Sequence, residues 1–239
     1  MEISLQGKTA FIAGGTSGIN LGIAKAMARE GARVAVLSRS QDKVDAAVSE
    51  LNDIAGASTA LGFAVDVRQG DAVEAAMVEA AEIMGPLDIV VSGAAGNFLA
   101  TAESLSSNAF RAVMEIDLLG TFHVMSSGFR HAREGNASFI NISAPQASIP
   151  FWGQAHVCSA KAGVDMLTKT LALEWGPKGI RVNAIVPGPI ANTEGMARLA
   201  ATPELEEIAR MSVPSRRFGE ADEVASAAVF LAKIGRAHV

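Results

Sequence analysis

Short runs of β-branched and small apolar residues alternate along this chain with longer stretches whose apolar positions recur every three or four residues. Compact apolar runs bounded by turn residues read as buried strands, and the wider spacing reads as amphipathic helix. The pattern predicts strands over Thr9–Ala13, Arg33–Ser38, Ala60–Asp66, Ile89–Ser92, Ser138–Ser143 and Arg181–Val186. Between and after them it predicts helices over Gly18–Glu30, Asp42–Ile54, Asp71–Met84, Ser107–Arg133, Ala155–Trp175 and Ala221–Lys233. Gly85-Pro86 and Gly135-Asn136 punctuate two helix-to-strand turns, where breakers belong. Alternation of this kind builds βαβ units. Right-handed crossovers turn those into one doubly wound α/β parallel sheet, with ligands at the carboxyl ends of the strands. The segment Thr193–Ser215 is polar, partly helical and flanked by prolines, the make-up of an excursion over an active site.

Composition narrows the class. The chain has 239 residues, 49% of them apolar and only 5% aromatic, which suits a single domain with its sheet covered on both faces. A net charge of −5 provides no basic field for nucleic acid, so none is expected as a partner. The single cysteine, Cys158, excludes an internal disulfide and fits a reducing compartment. Met1–Lys8 lacks secretory and transit patterns, and no apolar run is long enough to span a bilayer. The expectation is a soluble, cytoplasmic protein without membrane partners. One back-translation of Lys233–Val239 matches a common short-read sequencing adapter. Ile234–Val239 is therefore expected to be a non-native tail on a truncated chain. A truncated chain would lack its last strand and any C-terminal peroxisomal address.

The first strand runs into Gly14-Gly15-Thr16-Ser17-Gly18-Ile19-Asn20 and then a helix. Glycines let backbone N–H groups approach a pyrophosphate, and the helix N-terminus favours its charge. Thr16 and Ser17 add hydroxyl donors. Asn20 stands where a third glycine is usual, and its tolerance of unusual backbone angles explains the exchange. The second strand ends in Ser38-Arg39-Ser40, with no carboxylate for a ribose hydroxyl. Arg39 pairs instead with a 2′-phosphate, with Ser40 beside it, so the expected cofactor is NADPH. Asp66-Val67 closes the third strand, where Asp66 meets the adenine amino group. Gly93-Ala94-Ala95-Gly96 closes the fourth with residues small enough for a cofactor to lie against backbone.

The glycine turn, Asp66, Ala95-Gly96, Lys161 and Pro187-Gly188-Pro189-Ile190 together resemble the short-chain dehydrogenase/reductase family, from Leu5 to Lys233. The resemblance implies a Rossmann-type fold and a homo-oligomer packed through the helices Ser107–Arg133 and Ala155–Trp175. It also implies that Lys161 holds the nicotinamide ribose and that Ile190 and its neighbours meet the nicotinamide amide. Usual members carry Tyr-x-x-x-Lys, but four residues before Lys161 stands Val157, and the chain has no tyrosine. The expected serine is Ala144 and the expected asparagine is Asp117. Neither valine nor alanine donates a proton, which excludes the tyrosine mechanism.

Ala94–Leu99, Ile116-Asp117 with Gly120-Thr121-Phe122, His156 with Ser159-Ala160-Lys161, and Thr193-Glu194-Gly195 resemble the peroxisomal-type 2,4-dienoyl-CoA reductases and their bacterial relatives. This implies NADPH-dependent reduction of a conjugated acyl thioester, with Asp117 and Lys161 as the catalytic residues. Asp117, directly or through a water, is the expected proton source. Burial must raise its pKa, which Lys161 would oppose unless a water separates them. A purely structural role for Asp117, bonding a ribose or a water chain, is the competing reading. Two functional alternatives stay open: a tyrosine-independent carbonyl or 3-ketoacyl thioester reductase, and an inactive NADPH-binding sensor or scaffold subunit. His156 reads as packed or capping and Cys158 as a small buried residue. His123, His131 and His238 show no metal-ligand spacing, so no metal is expected. Phe98, Phe151 and Trp152 are candidates for an acyl pocket.

Overall fold

A computed structural model describes residues 4–56 and 59–233; the suspected tail, 234–239, lies outside the described residues. Six parallel strands form one sheet: β1 Thr9–Ala13, β2 Arg33–Ser38, β3 Leu61–Ala64, β4 Ile89–Ser92, β5 Ala137–Ile142 and β6 Ile180–Ile185. Their spatial order is β3-β2-β1-β4-β5-β6, so the chain reverses direction of travel between β3 and β4. That reversal opens a crevice above the ends of β1 and β4, where doubly wound sheets bind ligands. The sheet is in register with Ala13 beside Leu37 on one side and Ser92 on the other.

Alternation along the strands explains the two-layered cover. Ala10 and Ile12 face one side with Val34, Val36, Ile89 and Val91, and meet helices α1 (Gly18–Arg29), α2 (Gln41–Ala55) and α9 (Ala221–Lys233). Phe11 and Ala13 face the other with Leu37, Val90 and Phe139, and meet α3 (Gly70–Met84), α5 (Gly120–His131) and α6 (Ala155–Trp175). Each large side chain so buried contributes about 1.5–3 kcal/mol. Both faces of the strands are apolar, the expected consequence of a parallel sheet buried on both sides.

Two elements differ from the sequence pattern by more than single-residue shifts at their ends. β3 stops at Ala64 because Asp66 already begins a turn, its carbonyl accepting from Gln69 N–H at 2.9 Å. The stretch expected as one helix over Ser107–Arg133 is instead α4 (Ser107–Val113), a π-helical turn over Met114–Leu119, and α5, which ends at His131. Beyond β6 the excursion contains α7 (Glu194–Leu199) and α8 (Pro203–Ser212), each started by a threonine side-chain cap, Thr193 and Thr202. No helix among the described residues is long and apolar enough to cross a membrane.

At the bottom of the sheet Asp88 ties three elements together. Its side chain is 2% exposed and accepts from Thr9 N–H at 3.0 Å, Lys8 Nζ at 2.9 Å and Arg133 Nε at 2.6 Å. Burial pushes this carboxyl up, but Arg133, Lys8 and the Thr9 amide outweigh it and hold it below its ordinary value.

Candidate active site

The turn after β1 is shaped by close backbone approach. Gly14 has φ +76°, and a Cβ there would lie 2.9 Å from the Ala94 nitrogen. Ser17 occupies the N-cap of α1 without spending its hydroxyl on the helix, so the first N–H groups of α1 remain free for an anion. Asn20 stands here for a reason other than the expected one. Its backbone is helical, and its Nδ2 donates to the Gly93 carbonyl at 2.8 Å, clamping the turn to the end of β4. Any side chain at Gly93 would strike that amide, since a Cβ would lie 2.3 Å from it.

Above the strand ends lies a cavity of about 880 Å³. Gly14, Thr16, Ser17, Gly18 and Ile19 line it from the turn, and Arg39, Asp66 and Val67 from the ends of β2 and β3. Ala95 and Gly96 line it after β4, and Pro187, Gly188 and Ile190 after β6. Ser40 does not line it, because it sits at the N-cap of α2 and its carbonyl accepts from Val44 N–H. Lys43, one turn into α2, lines the cavity in its place and pairs with Glu194 of α7 at 2.7 Å. Asp66 is engaged by Arg68 on both carboxylate oxygens, which holds its pKa below the ordinary value. A carboxylate has lone pairs left over for a further donor.

The deep end of the cavity holds Asp117 and Lys161. Asp117 lies in the π-helical turn, 1% exposed, with Oδ1 accepting from Gly96 N–H at 2.7 Å. Thr121 Oγ1 donates to the Asp117 carbonyl at 2.6 Å and accepts from Ser92 Oγ at 3.1 Å, which satisfies backbone that the wide turn leaves open. Lys161 Nζ donates to the Ile142 carbonyl at 3.0 Å and lies 3.5 Å from Asp117 Oδ2. The pair is thus direct, not separated by the water that the sequence reading required. Burial nevertheless prevails over Lys161 and over the Gly96 amide, and raises the Asp117 pKa above its ordinary value.

The wall between these groups and the surface is apolar where hydroxyls are usual: Val157 and Ala144 both line the cavity. Phe151 lines it too. Phe98 does not, because it stacks on His156 with ring centroids 4.2 Å apart, and Trp152 points outward at 81% exposure. His156 is sealed beneath the wall with Nε2 against the Phe98 carbonyl, and burial lowers its pKa. Cys158 is off the cavity and half-buried. Sequence reasoning missed Lys43, Gln146, Gln154 and Ser143 in the lining. Ser143 bonds Asp165, which sits one helical turn beyond Lys161. Among the described residues no group of three or more His, Cys, Asp or Glu is gathered for a metal ion.

A glycine turn under a helix N-terminus, a buried Lys on the long helix α6 and an opposed Asp now stand in one crevice. A family model described as enoyl-(acyl carrier protein) reductase matches residues 13–237. The chain belongs to the short-chain dehydrogenase/reductase family. Members of this family are oxidoreductases, and the single α/β domain with its six-stranded parallel sheet is theirs. The chain is 41% identical to a peroxisomal 2,4-dienoyl-CoA reductase [(3E)-enoyl-CoA-producing] of Danio rerio, over 98% of this chain and 78% of that one. It is 37% identical to a probable 2,4-dienoyl-CoA reductase [(2E)-enoyl-CoA-producing] of Bacillus subtilis, over 95% of this chain and 90% of that one. A short-chain dehydrogenase from Burkholderia cenocepacia, solved in complex with NADP, superposes with a TM-score of 0.89 at 28% identity, covering 98% of this chain and 94% of that one.

Proposed function

We propose that this protein is an NADPH-dependent reductase of conjugated acyl thioesters, 2,4-dienoyl-CoA or enoyl-CoA, with Asp117 or a water it holds as the proton source. The observation that carries the reading is the buried, direct Asp117–Lys161 pair beside a wall, Val157 and Ala144, that offers no hydroxyl. Two relatives named as 2,4-dienoyl-CoA reductases support the substrate class. The cofactor assignment rests on fit. The Gly14 turn is closed to any side chain, the α1 amides are uncapped, and Arg39 and Lys43 bring positive charge to the end of β2 where Ser38 supplies no carboxylate. Gly14, Thr16, Ser17, Gly18 and Ile19 would hold the pyrophosphate, and Arg39 the 2′-phosphate. Asp66 and Val67 would meet the adenine. Ala95, Gly96, Pro187, Gly188 and Ile190 would flank the nicotinamide half, and Lys161 its ribose.

NADPH, when bound, supplies two electrons and a proton as hydride to the far carbon of the conjugated system. One C–H bond forms there, the π electrons shift along the chain, and negative charge gathers on the thioester oxygen. Lys161, fixed by the Ile142 carbonyl, puts positive charge at the far end of the conjugated system over which that negative charge is delocalised. Asp117, whose raised pKa keeps its proton to higher pH than an ordinary carboxyl, then delivers that proton to carbon and recovers one from solvent. Delivery to the carbon next to the thioester leaves a 3-enoyl product, and delivery two carbons further leaves a 2-enoyl product. The names of the two relatives divide in the same way.

The test is NADPH consumption with a 2,4-dienoyl-CoA and with a 3-ketoacyl thioester, followed by identification of the product. Turnover of the dienoyl substrate alone is expected. Turnover of the ketoacyl substrate alone overturns the reading in favour of a carbonyl reductase. Tight NADPH binding without turnover of any acyl thioester would make the protein a binding subunit. We further propose a homo-oligomer formed through the paired helices, where Met114, Leu118, Leu119, Phe122 and Leu167 line an apolar hollow. Light scattering on the full-length protein is expected to give a dimer or tetramer mass; a monomer at micromolar concentration refutes this.

A further inference from the structure

Reduction of a conjugated thioester loads charge onto the thioester oxygen, and the wall of this cavity has lost the hydroxyls that usually receive such charge. Some other donor must face that oxygen. Gln154 begins α6 at its N-cap, so it is three residues from Val157 and seven from Lys161, and all three line the cavity. Its side chain is buried, with the residue only 3% exposed. Gln146 Nε2 donates to Gln154 Oε1 at 2.8 Å, which occupies the amide oxygen and leaves the Nε2 end over. The remaining end, Nε2, makes no hydrogen bond among the described residues, yet it is not one of the sealed, unpartnered polar atoms. Gln154 lines the cavity, so this end is within reach of a ligand there. A buried amide held in one orientation with its donor end unused is costly unless a ligand completes it.

We infer that Gln154 Nε2 is the hydrogen-bond donor to the thioester oxygen and that Gln146 is its positioning residue. The inference rests on the conjugate-reductase reading and adds the orientation of the substrate to it. Seven residues of helix separate Gln154 from Lys161 by about 10 Å. An extended dienoyl thioester laid along α6 puts its oxygen at Gln154 and its reducible carbon toward Lys161 and Asp117. The thioester then leaves by the side of Phe151 and Leu99, which line the cavity and are half-exposed at its rim. The helix N-terminus behind Gln154 adds a favourable field for negative charge on that oxygen.

The experiment uses Gln154→Met, similar in length but without a donor, and Gln146→Met, which removes only the positioning bond. 5-Phenylpenta-2,4-dienoyl-CoA is the probe, with NADP for the spectrum, because a donor on its carbonyl shifts its absorbance to longer wavelength, and with NADPH for turnover. Wild-type protein is expected to give the red shift. Gln154→Met is expected to abolish it and to lower kcat about a hundredfold, in the range for loss of one oxyanion donor, with NADPH affinity unchanged within twofold. Gln146→Met is expected to weaken the shift and to lower kcat about tenfold, which a merely structural bond would not do. Full rate and full red shift in Gln154→Met overturn the inference. A red shift in wild type that Gln154→Met abolishes, without turnover in either, overturns the reductase reading and leaves the donor in place. Wild-type protein that neither shifts nor turns over the probe refutes both. Should Gln154→Met lose NADPH affinity through misfolding, the shift in Gln146→Met decides: an unchanged shift there refutes the inference.

Discussion

Truncating Arg39 to alanine separates the two halves of the cofactor argument. The guanidinium is exposed at the end of β2 and lines the cavity, while Ser38 beside it supplies no carboxylate. A hydrogen bond to a charged group is worth about 1.5–3 kcal/mol, and exposure puts this one at the low end. At about 1.4 kcal/mol per decade, Arg39→Ala should weaken NADPH roughly tenfold and leave NADH within twofold. Lys43 limits the loss, because it also lines the site, but Glu194 already pairs with it at 2.7 Å. Removing that competitor by Glu194→Gln should therefore strengthen NADPH binding severalfold in the wild-type background. The assay is quenching of protein fluorescence by each nucleotide at two ionic strengths. The screening length falls from about 10 Å at 0.1 M to about 3 Å at 1 M, so the wild-type preference for NADPH should shrink in high salt. Equal losses for NADPH and NADH in Arg39→Ala would refute the 2′-phosphate assignment.

Asp117→Asn keeps the acceptor for Gly96 N–H but holds no transferable proton; kcat with a dienoyl-CoA should fall by about 10²–10⁴, with NADPH affinity retained. Because burial raises the Asp117 pKa above 3.8, its acid form is lost only as pH rises through that raised value, so wild-type kcat should decline on the alkaline side. A wild-type profile flat with pH, or full activity in the variant, contradicts the acid role. Asp88→Ala leaves Thr9 N–H, Lys8 and Arg133 without their shared acceptor. Both cations are more than a third exposed, so the loss should be near the low end for a broken buried pair, about 3 kcal/mol, or about 6–12 °C in Tm. The Asp88 pKa is held below 3.8, so its contribution is present above that value and lost as pH falls through the depressed one. Thermal melts of the two proteins should converge in acid; a gap that widens there contradicts the ion-pair account.

The strands were readable because a parallel sheet buried on both faces writes nearly continuous apolar runs, and those runs are short. The glycine turn was readable for the same local reason: Gly14 needs a positive φ and a bare Cα, and both demands act within a few residues. Lys161 and Asp117 were readable through resemblance, not spacing, since nothing along the chain brings residues 44 apart together. What stayed hidden depends on contacts across the fold. The π-helical turn at Met114–Leu119 shifts helical phase by a single residue, too little to register in an apolar pattern of this length. Asn20 was misread because its partner, the Gly93 carbonyl, is 73 residues away. Gln146 and Gln154 were invisible as a pair, because polar residues near a helix start look like ordinary capping until one is seen to orient the other. Phe98 and Trp152 show the converse: aromatic identity alone does not say which ring faces the substrate.

The wide turn also bears on how this enzyme could be altered. A π-helical turn carries one residue more than an α-helical turn, so α4 and α5 are rotated against each other by a step that a continuous helix would not contain. α5 is locked to the sheet through Val124 and Met125, while Val113, at the end of α4, packs with Val157 and Ala160. The turn uncouples these two alignments. Length changes in α4 can be absorbed there without twisting α5 off the sheet, whereas deleting one residue from the turn would swing the residue at 117 by roughly 100° around the axis. The slack in this helix thus lets its first half change length while its second half stays fixed against the sheet.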